Sequence, residues 1–250
     1  MNGCIFNKTR IVCSLLIGAL YSGVSLASVI DVDSTTGNGA DSYVSTWPGE
    51  RDTNFGFDDT FYLKNDSGTG FVNRKGYVRF DLSSIQGAVE DVSLNLSFVE
   101  DTHTTPAVWS INVYGLTDGH VGEDWSETGI TWNNAPANNT SSGGGLLGGE
   151  ASLLGSFEFD TASLLPGDSV PFSSSDLTSF VQSDTNDLLT LIFIRQNRSL
   201  SNVGFATGEH ATFAPPTLTL TTVPVPAAAV LFGSGFFWLF GTGFRRLSRG

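Results

Sequence analysis

The chain has 250 residues, of which 12 are basic and 25 acidic, and its net charge at pH 7 is -13. This acidity argues against a general nucleic-acid binder, because a phosphate backbone requires a basic protein surface. Charged residues make up only 15% of the chain and hydrophobic residues 40%, so the chain is not a disordered polyanion either. With 29 glycines, nine prolines and one methionine, the composition favours a loop-rich β protein over a helical bundle.

Residues 1–27 have the pattern of a secretory signal peptide. Two basic residues precede an apolar run at residues 11–20, and Ser25-Leu26-Ala27 places small residues before a cleavage point. An N-terminal membrane anchor is the alternative, although the apolar run is short for a membrane-spanning helix. Both cysteines, Cys4 and Cys13, lie in this segment, so the processed chain would have no disulfide and no cysteine metal ligand.

Residues 223–250 have the pattern of a second sorting device. Val223-Pro224-Val225-Pro226 is followed by an uncharged run at residues 227–244 and then by three arginines. As a helix, this run would be about 27 Å long, slightly less than a bilayer core, and the arginines fit a cytoplasmic stop. The order of short motif, apolar span and basic tail resembles the PEP-CTERM sorting signals of Gram-negative bacteria, in the variant that begins Val-Pro-Leu-Pro-Ala. The resemblance implies a transient transmembrane helix at residues 227–244 and an exosortase-type enzyme as partner; a plain membrane anchor is the alternative.

The body of the chain, residues 28–222, alternates apolar and polar side chains with the period of half-buried strands. Such runs occupy residues 77–82, 91–98, 109–113 and 218–220. Residues 187–194 are almost continuously apolar, which predicts a strand covered on both faces. A short helix is predicted at residues 174–182, with Ser174 or Ser175 as its cap. We therefore expect an all-β fold, a jelly-roll β-sandwich with one short helix, flanked by the signal peptide and the transmembrane sorting helix.

Four stretches of the body together resemble one known family. They are residues 40–44 (Ala-Asp-Ser-Tyr-Val) with 53–64, residues 76–83 (Gly-Tyr-Val-Arg-Phe-Asp-Leu-Ser), Trp125-Ser126-Glu127 with 130–136 (Ile-Thr-Trp-Asn-Asn-Ala-Pro), and residues 205–209 with 215–218. In order and content they resemble the DNRLRE domain group, which includes carbohydrate-binding module family 96, over roughly residues 38–222. The resemblance implies a jelly-roll sandwich that binds polysaccharide, with alginate as the ligand of some members.

The predicted binding residues follow from the alternation of two strands. Tyr62 and Lys64 share the face opposite the core side of one strand, and Tyr77 and Arg79 share the corresponding face of another. If these strands pair, the four side chains form one polar and aromatic strip, to which Arg195 adds a further cation. Aromatic rings stack on sugar C–H groups, and cations bind hydroxyls or carboxylates. The alternative for Arg79 is a buried structural network with Asp81.

The tryptophans divide into two groups. Trp47 precedes Pro48-Gly49 in a turn that looks exposed, so it is the candidate stacking platform for a sugar. The other body tryptophans are expected to be core residues or loop anchors: Trp109, Trp125 and Trp132.

Asp52, Asp58 and Asp59 form an oxygen-rich loop, and carboxylate oxygens are the ligands that Ca²⁺ prefers. A structural calcium ion is therefore the one cofactor considered, with solvated acidic loops as the alternative. The sequence has no nucleophile elbow outside the C-terminal tail, no phosphate-binding loop and no zinc-binding histidine motif. We thus expect an exported, non-catalytic polysaccharide-binding module, located in the bacterial envelope or extracellular matrix. A structural matrix protein and a polysaccharide lyase or hydrolase are the alternatives.

Overall fold

A computed structural model describes residues 27–66, 72–105, 107–141 and 145–223, and most of these residues lie in β-strands. In chain order the strands of these ranges are β1 Ser28–Asp33, β2 Ala40–Ser45, β3 Thr60–Asn65, β4 Asn73–Asp81, β5 Ala88–Asp101, β6 Val108–Leu116, β7 Ala151–Asp160, β8 Ser169–Ser173, β9 Leu188–Arg195, β10 Ser199–Ala206 and β11 Thr217–Val223. A 3-10 turn covers Thr161–Ser163, and the helix α1 covers Ser175–Ser183.

The strands form an antiparallel sheet in the order β1-β11-β5-β10-β3-β4-β9-β6-β7, with β2 paired to β4 and β8 paired to β5. The long strand β5 connects the parts of this sheet, because residues 88–95 pair with β11 and residues 98–101 pair with β10. Strands from both ends of the order contribute to one hydrophobic core, so the sheet curls around that core. The predicted all-β class and single short helix are confirmed, and the jelly-roll assignment stays a prediction.

The main core contains the side chains that the alternation places on one face. Leu94 and Leu96 of β5 and Leu218 and Leu220 of β11 are at most 1% exposed, as expected for the inward positions of half-buried strands.

Helix α1 closes this core along one side. Ser174 is its N-cap, because its Oγ accepts a hydrogen bond from the Leu177 amide at 2.9 Å. Leu177 and Val181 of the helix pack into the main core. The predicted helix at residues 174–182 is therefore confirmed with a shift of one residue.

A second hydrophobic core covers the outer face of β2, β4 and β9. Tyr77 of β4 and Ile192 of β9 are register partners, and both pack in this core. The long segment between β6 and β7, residues 117–150, supplies Trp125, Ile130 and Trp132 to it. This part of the sheet is consequently buried on both faces, which agrees with the continuous apolar run predicted for β9.

Both predicted sorting segments lie outside the described residues, apart from Ala27 at the end of the predicted signal peptide and Val223 at the start of the C-terminal motif. Within the described residues, no helix is long and apolar enough to cross a membrane.

Candidate functional site

The predicted surface strip is wrong for Tyr77, Arg79 and Arg195, because all three are buried. Tyr77 and Arg195 are fully buried, and Arg79 is 6% exposed. Lys64 pairs with Arg74 of β4, and Tyr77 and Arg79 lie an odd number of residues further along this strand, so they are on its opposite face. The segment 117–150 covers that face. The Tyr77 hydroxyl donates a hydrogen bond to the Pro136 carbonyl of this segment at 3.2 Å.

Arg79 belongs instead to a buried network. Its guanidinium donates to the backbone carbonyls of Asn38 and Trp125, both at 2.7 Å, and lies 5.2 Å from a ring centroid of Trp125. Asp81 accepts from the Asn38 amide at 2.8 Å, so Asn38 joins the two charged residues without a direct ion pair between them. The alternative that the sequence analysis gave for Arg79, a buried structural network with Asp81, is therefore confirmed. The ion pair of Arg79 with Asp124, at 3.4 Å, contributes little because the Asp124 side chain is 89% exposed.

Arg195, at the end of β9, also donates to backbone carbonyls from a buried position. It donates to the carbonyls of Ser199 and Ser201, each at 2.7 Å, and its guanidinium carbon lies 4.4 Å from a ring centroid of Trp109. These bonds hold the start of β10 against the end of β9. Burial lowers the pKa of Arg195 to about 10, with nearby carboxylates acting in the opposite direction.

Lys75, which the sequence analysis did not select, is a third buried cation of this kind. Its Nζ donates to Asn138 Oδ1 at 2.6 Å and to the Gly145 carbonyl at 2.5 Å, and it lies 4.6 Å from a ring centroid of Trp132. Burial lowers its pKa to about 7. Each of the three cations packs on an indole ring, and Trp109, Trp125 and Trp132 are buried in the two cores, as the sequence analysis expected.

The two remaining residues of the predicted strip, Tyr62 and Lys64, lie on a partly exposed surface with Arg74. Lys64 of β3 and Arg74 of β4 are register partners, so their side chains share one face. The Arg74 guanidinium lies 5.7 Å from the ring centroid of Tyr62 and 5.5 Å from that of Tyr43. We call Tyr62, Lys64 and Arg74, together with the ring of Tyr43 that is buried beside them, the aromatic–cation face. Arg74 was missed because its pairing with Lys64 is set by strand register, which the sequence alone does not reveal.

Neighbouring residues hold this face in place. Arg74 forms an ion pair with Glu50 at 3.6 Å, and Glu50 also accepts from the Ser45 hydroxyl at 2.6 Å. The Trp47 amide donates to the same hydroxyl at 3.2 Å, so the turn that carries Trp47 is anchored beside the face. The Trp47 side chain is 48% exposed, as predicted for a turn.

Lys64 differs from the buried cations because it donates no hydrogen bond to any residue that the structure describes. Its partial burial lowers its pKa, and the nearby guanidinium of Arg74 lowers it further. Asp66 acts against this shift. The Lys64 ammonium is thus a cation on the partly exposed face that finds no acceptor in the described part of the chain.

The predicted calcium ligands Asp52, Asp58 and Asp59 do not converge on one point. Asp52 accepts from the Asn133 side chain at 2.7 Å, Asp58 accepts from the Tyr43 hydroxyl at 3.0 Å, and Asp59 accepts from the adjacent threonine hydroxyl at 3.0 Å. Within the described residues, carboxylate triplets with mutual oxygen distances below 4.8 Å occur elsewhere. They are Asp41 with Glu127 and Glu209, and Asp118 with Glu123 and Asp184.

Comparison with known proteins gives one family match. Residues 32–147 match the model of carbohydrate-binding module family 96, whereas no curated protein matches the chain. The matched range includes β2 to β6, the aromatic–cation face and most of the segment that covers the second core. Over this range the chain is similar to carbohydrate-binding modules.

Proposed function

We propose that the chain is an exported, non-catalytic module that binds polysaccharide on the aromatic–cation face. The family match supports carbohydrate binding, and the observation that supports this particular surface is the state of Lys64. Buried acceptors hold Lys75, Arg79 and Arg195, whereas the ammonium of Lys64 on the partly exposed face has no acceptor among the described residues. An oxygen of a sugar hydroxyl or carboxylate would supply one.

The face combines a ring with a cation, which suits a sugar. The Tyr62 hydroxyl donates to Glu100 at 2.7 Å, and the Tyr62 ring packs edge-on against Tyr43 at a centroid distance of 5.7 Å. These contacts fix the ring before a ligand arrives, which reduces the entropy cost of binding. Trp47 would extend the stacking surface beyond Tyr62 when the ligand is a chain of several sugars.

Variants that remove one side chain each test this location. Lys64→Ala should weaken binding to the best ligand of a glycan array about tenfold, the effect of losing a charged hydrogen bond worth about 1.5 kcal/mol. Tyr62→Ala and Trp47→Ala should weaken it as well through lost stacking. Arg51→Ala is the matched control, because it removes the same charge from an exposed residue outside the face.

Affinity electrophoresis and melting temperature should be measured for all four variants. The proposal requires that Lys64→Ala lose affinity while its melting temperature stays close to that of the parent and of Arg51→Ala. Equal affinity of Lys64→Ala and the parent would move the binding site elsewhere. The same polysaccharides should stay intact during prolonged incubation, since chain cleavage would contradict a non-catalytic module.

Salt dependence of the affinity identifies the class of ligand. The body is acidic, and Glu50 and Glu100 lie beside this face, so an anionic glycan would be held through the Lys64 ammonium and would lose affinity as salt screens that contact. A neutral glycan held by stacking on Tyr62 and Trp47 would keep its affinity.

A further inference from the structure

Three carboxylates from distant parts of the chain meet beside β2. Asp41 lies in β2, Glu127 in the segment between β6 and β7, and Glu209 in the turn after β10. One oxygen of each carboxylate lies within 4.8 Å of the others. None of the three aspartates that the sequence analysis selected for calcium belongs to this cluster, although the Asp58 and Asp59 carbonyls accept hydrogen bonds from Thr207, close in sequence to Glu209.

The Asp41 carboxylate is only half satisfied by the protein. Its Oδ2 accepts from the Ser34 hydroxyl at 2.5 Å and from the Gly208 amide at 2.9 Å. Its Oδ1 is buried and has no hydrogen-bond partner among the described residues, and the residue as a whole is only 1% exposed. An unpartnered buried carboxylate oxygen is costly, and it indicates an absent positive or hydrogen-bonding partner.

The other side of the cluster is fixed by the fold. Glu127 Oε1 accepts from the Asp41 amide at 2.8 Å, and the Glu127 carbonyl accepts from the Asn54 side chain at 2.7 Å. Gly56 packs so closely on Glu127 that a Cβ at this glycine would lie 2.2 Å from the Glu127 carbonyl oxygen. The Glu127 carboxylate is therefore held near Asp41 by contacts that do not depend on a ligand.

We infer that Asp41, Glu127 and Glu209 bind a calcium ion. Calcium takes carboxylate and carbonyl oxygens at 2.3–2.6 Å, so two oxygens on one ion are at most about 5 Å apart, which matches the spacing here. The ion would be the missing partner of Asp41 Oδ1 and would offset the repulsion among three carboxylates. Magnesium fits less well because it retains several waters, whereas Asp41 offers its oxygen from a buried position.

The position of the cluster in the fold agrees with this assignment. Its three carboxylates belong to three separate segments of the chain, which a bound ion would hold together. Asp41 lies two residues before Tyr43 in β2, so the site neighbours the aromatic–cation face, but the inference rests on the carboxylates and does not depend on polysaccharide binding.

The second carboxylate triplet provides a comparison within the same chain. Glu123 Oε2 there accepts from the Gly119 amide at 2.9 Å and from the Asn186 side chain at 2.7 Å. Asp118 Oδ1 is also buried without a hydrogen-bond partner among the described residues, but Asp118 as a whole is only partly buried, whereas Asp41 is 1% exposed. The second triplet is therefore a competing site, which the variants below separate from the Asp41 cluster.

Calorimetric titration of the chelator-treated protein with calcium chloride at pH 8 tests the inference. One site should saturate, with a dissociation constant of about 1 mM or lower, as in other extracellular modules. Calcium at ten times this value should raise the melting temperature by about 3–6 °C. Absence of both effects up to 10 mM calcium would overturn the inference, and an equal response to magnesium chloride would overturn the choice of ion.

Variants locate the ion. Asp41→Asn and Glu209→Gln should each remove or sharply weaken the calcium response, whereas Asp118→Asn should keep it. Glu209 is exposed, so Glu209→Gln tests the site even if the buried substitution prevents folding. An unchanged response in Glu209→Gln, or its loss in Asp118→Asn alone, would place the ion elsewhere.

Discussion

Replacing Arg79 by alanine should destabilise the domain rather than remove a ligand contact. Arg79 is 6% exposed and donates to three backbone carbonyls, those of Asn38 and Trp125 at 2.7 Å and that of Glu123 at 3.1 Å. Two of these carbonyls belong to the segment that covers the second core. The substitution therefore removes one attachment of this segment to β4 and leaves those made by Tyr77 and Lys75.

The structure sets the size of the effect. A carbonyl left without a donor in a buried position costs about 1–3 kcal/mol, and the two shortest bonds are lost together. The contact with the Trp125 ring adds about 1 kcal/mol. Partial rehydration of the exposed edge reduces the total, and we expect a loss of about 3–5 kcal/mol, a large part of the stability of an ordinary domain.

Urea unfolding of the parent, Arg79→Ala and Arg51→Ala measures this difference. Arg51 is exposed and makes only a 3.4 Å contact with the Thr140 carbonyl, so its removal should change the free energy of unfolding by no more than about 0.5 kcal/mol. Arg79→Lys should fall between the two, because lysine keeps the charge but not the planar set of donors. An Arg79→Ala variant as stable as Arg51→Ala but unable to bind glycan would refute the reasoning and return Arg79 to the binding surface.

Two further predictions concern Lys75 and the C-terminal segment. Burial lowers the pKa of Lys75 to about 7, so above pH 7 the unfolded chain binds more protons at this residue than the folded chain does. Stability should then rise from pH 7 towards pH 10 by up to about 1.4 kcal/mol per pH unit. Urea unfolding at pH 7 and 9.5 should show a smaller rise for Lys75→Met, and equal rises would contradict the prediction. Deleting residues 227–250 should release the protein from the membrane fraction in soluble form, and continued fractionation with membranes would count against a sorting helix there.

Much of the fold could be predicted because one buried face leaves a periodic trace in the sequence. Leu94 and Leu96 alternate with polar residues since β5 faces the core on one side, and β9 lacks alternation since both of its faces are covered. The helix was recognisable for a local reason as well, because Ser174 can cap it without any distant partner. Such signals depend only on residues close in the sequence, so they can be recognised before the strand topology is known.

The candidate site was only half predictable because it depends on distant neighbours. Alternation shows that Tyr77 and Arg79 point away from the main core, but it does not show whether another segment covers them. The two tryptophans of the segment 117–150, Trp125 and Trp132, were the available signal, since two large indole side chains in one loop require a surface to bury them. Arg74 could not be placed beside Lys64 without the register of β3 and β4.

The buried cations of this acidic protein also change how its surface charge is interpreted. Lys75, Arg79 and Arg195 each donate to backbone carbonyls and each pack on an indole ring, at distances of 4.4–5.2 Å from a ring centroid. A backbone carbonyl accepts a hydrogen bond from the cation but does not neutralise its charge. These cations therefore attach loops to the sheet and are not available to bind a ligand. Counting basic residues along the sequence therefore overestimates the basic surface. Of the strip predicted from alternation, the one cation left to meet a polysaccharide is Lys64, and binding experiments should begin with it.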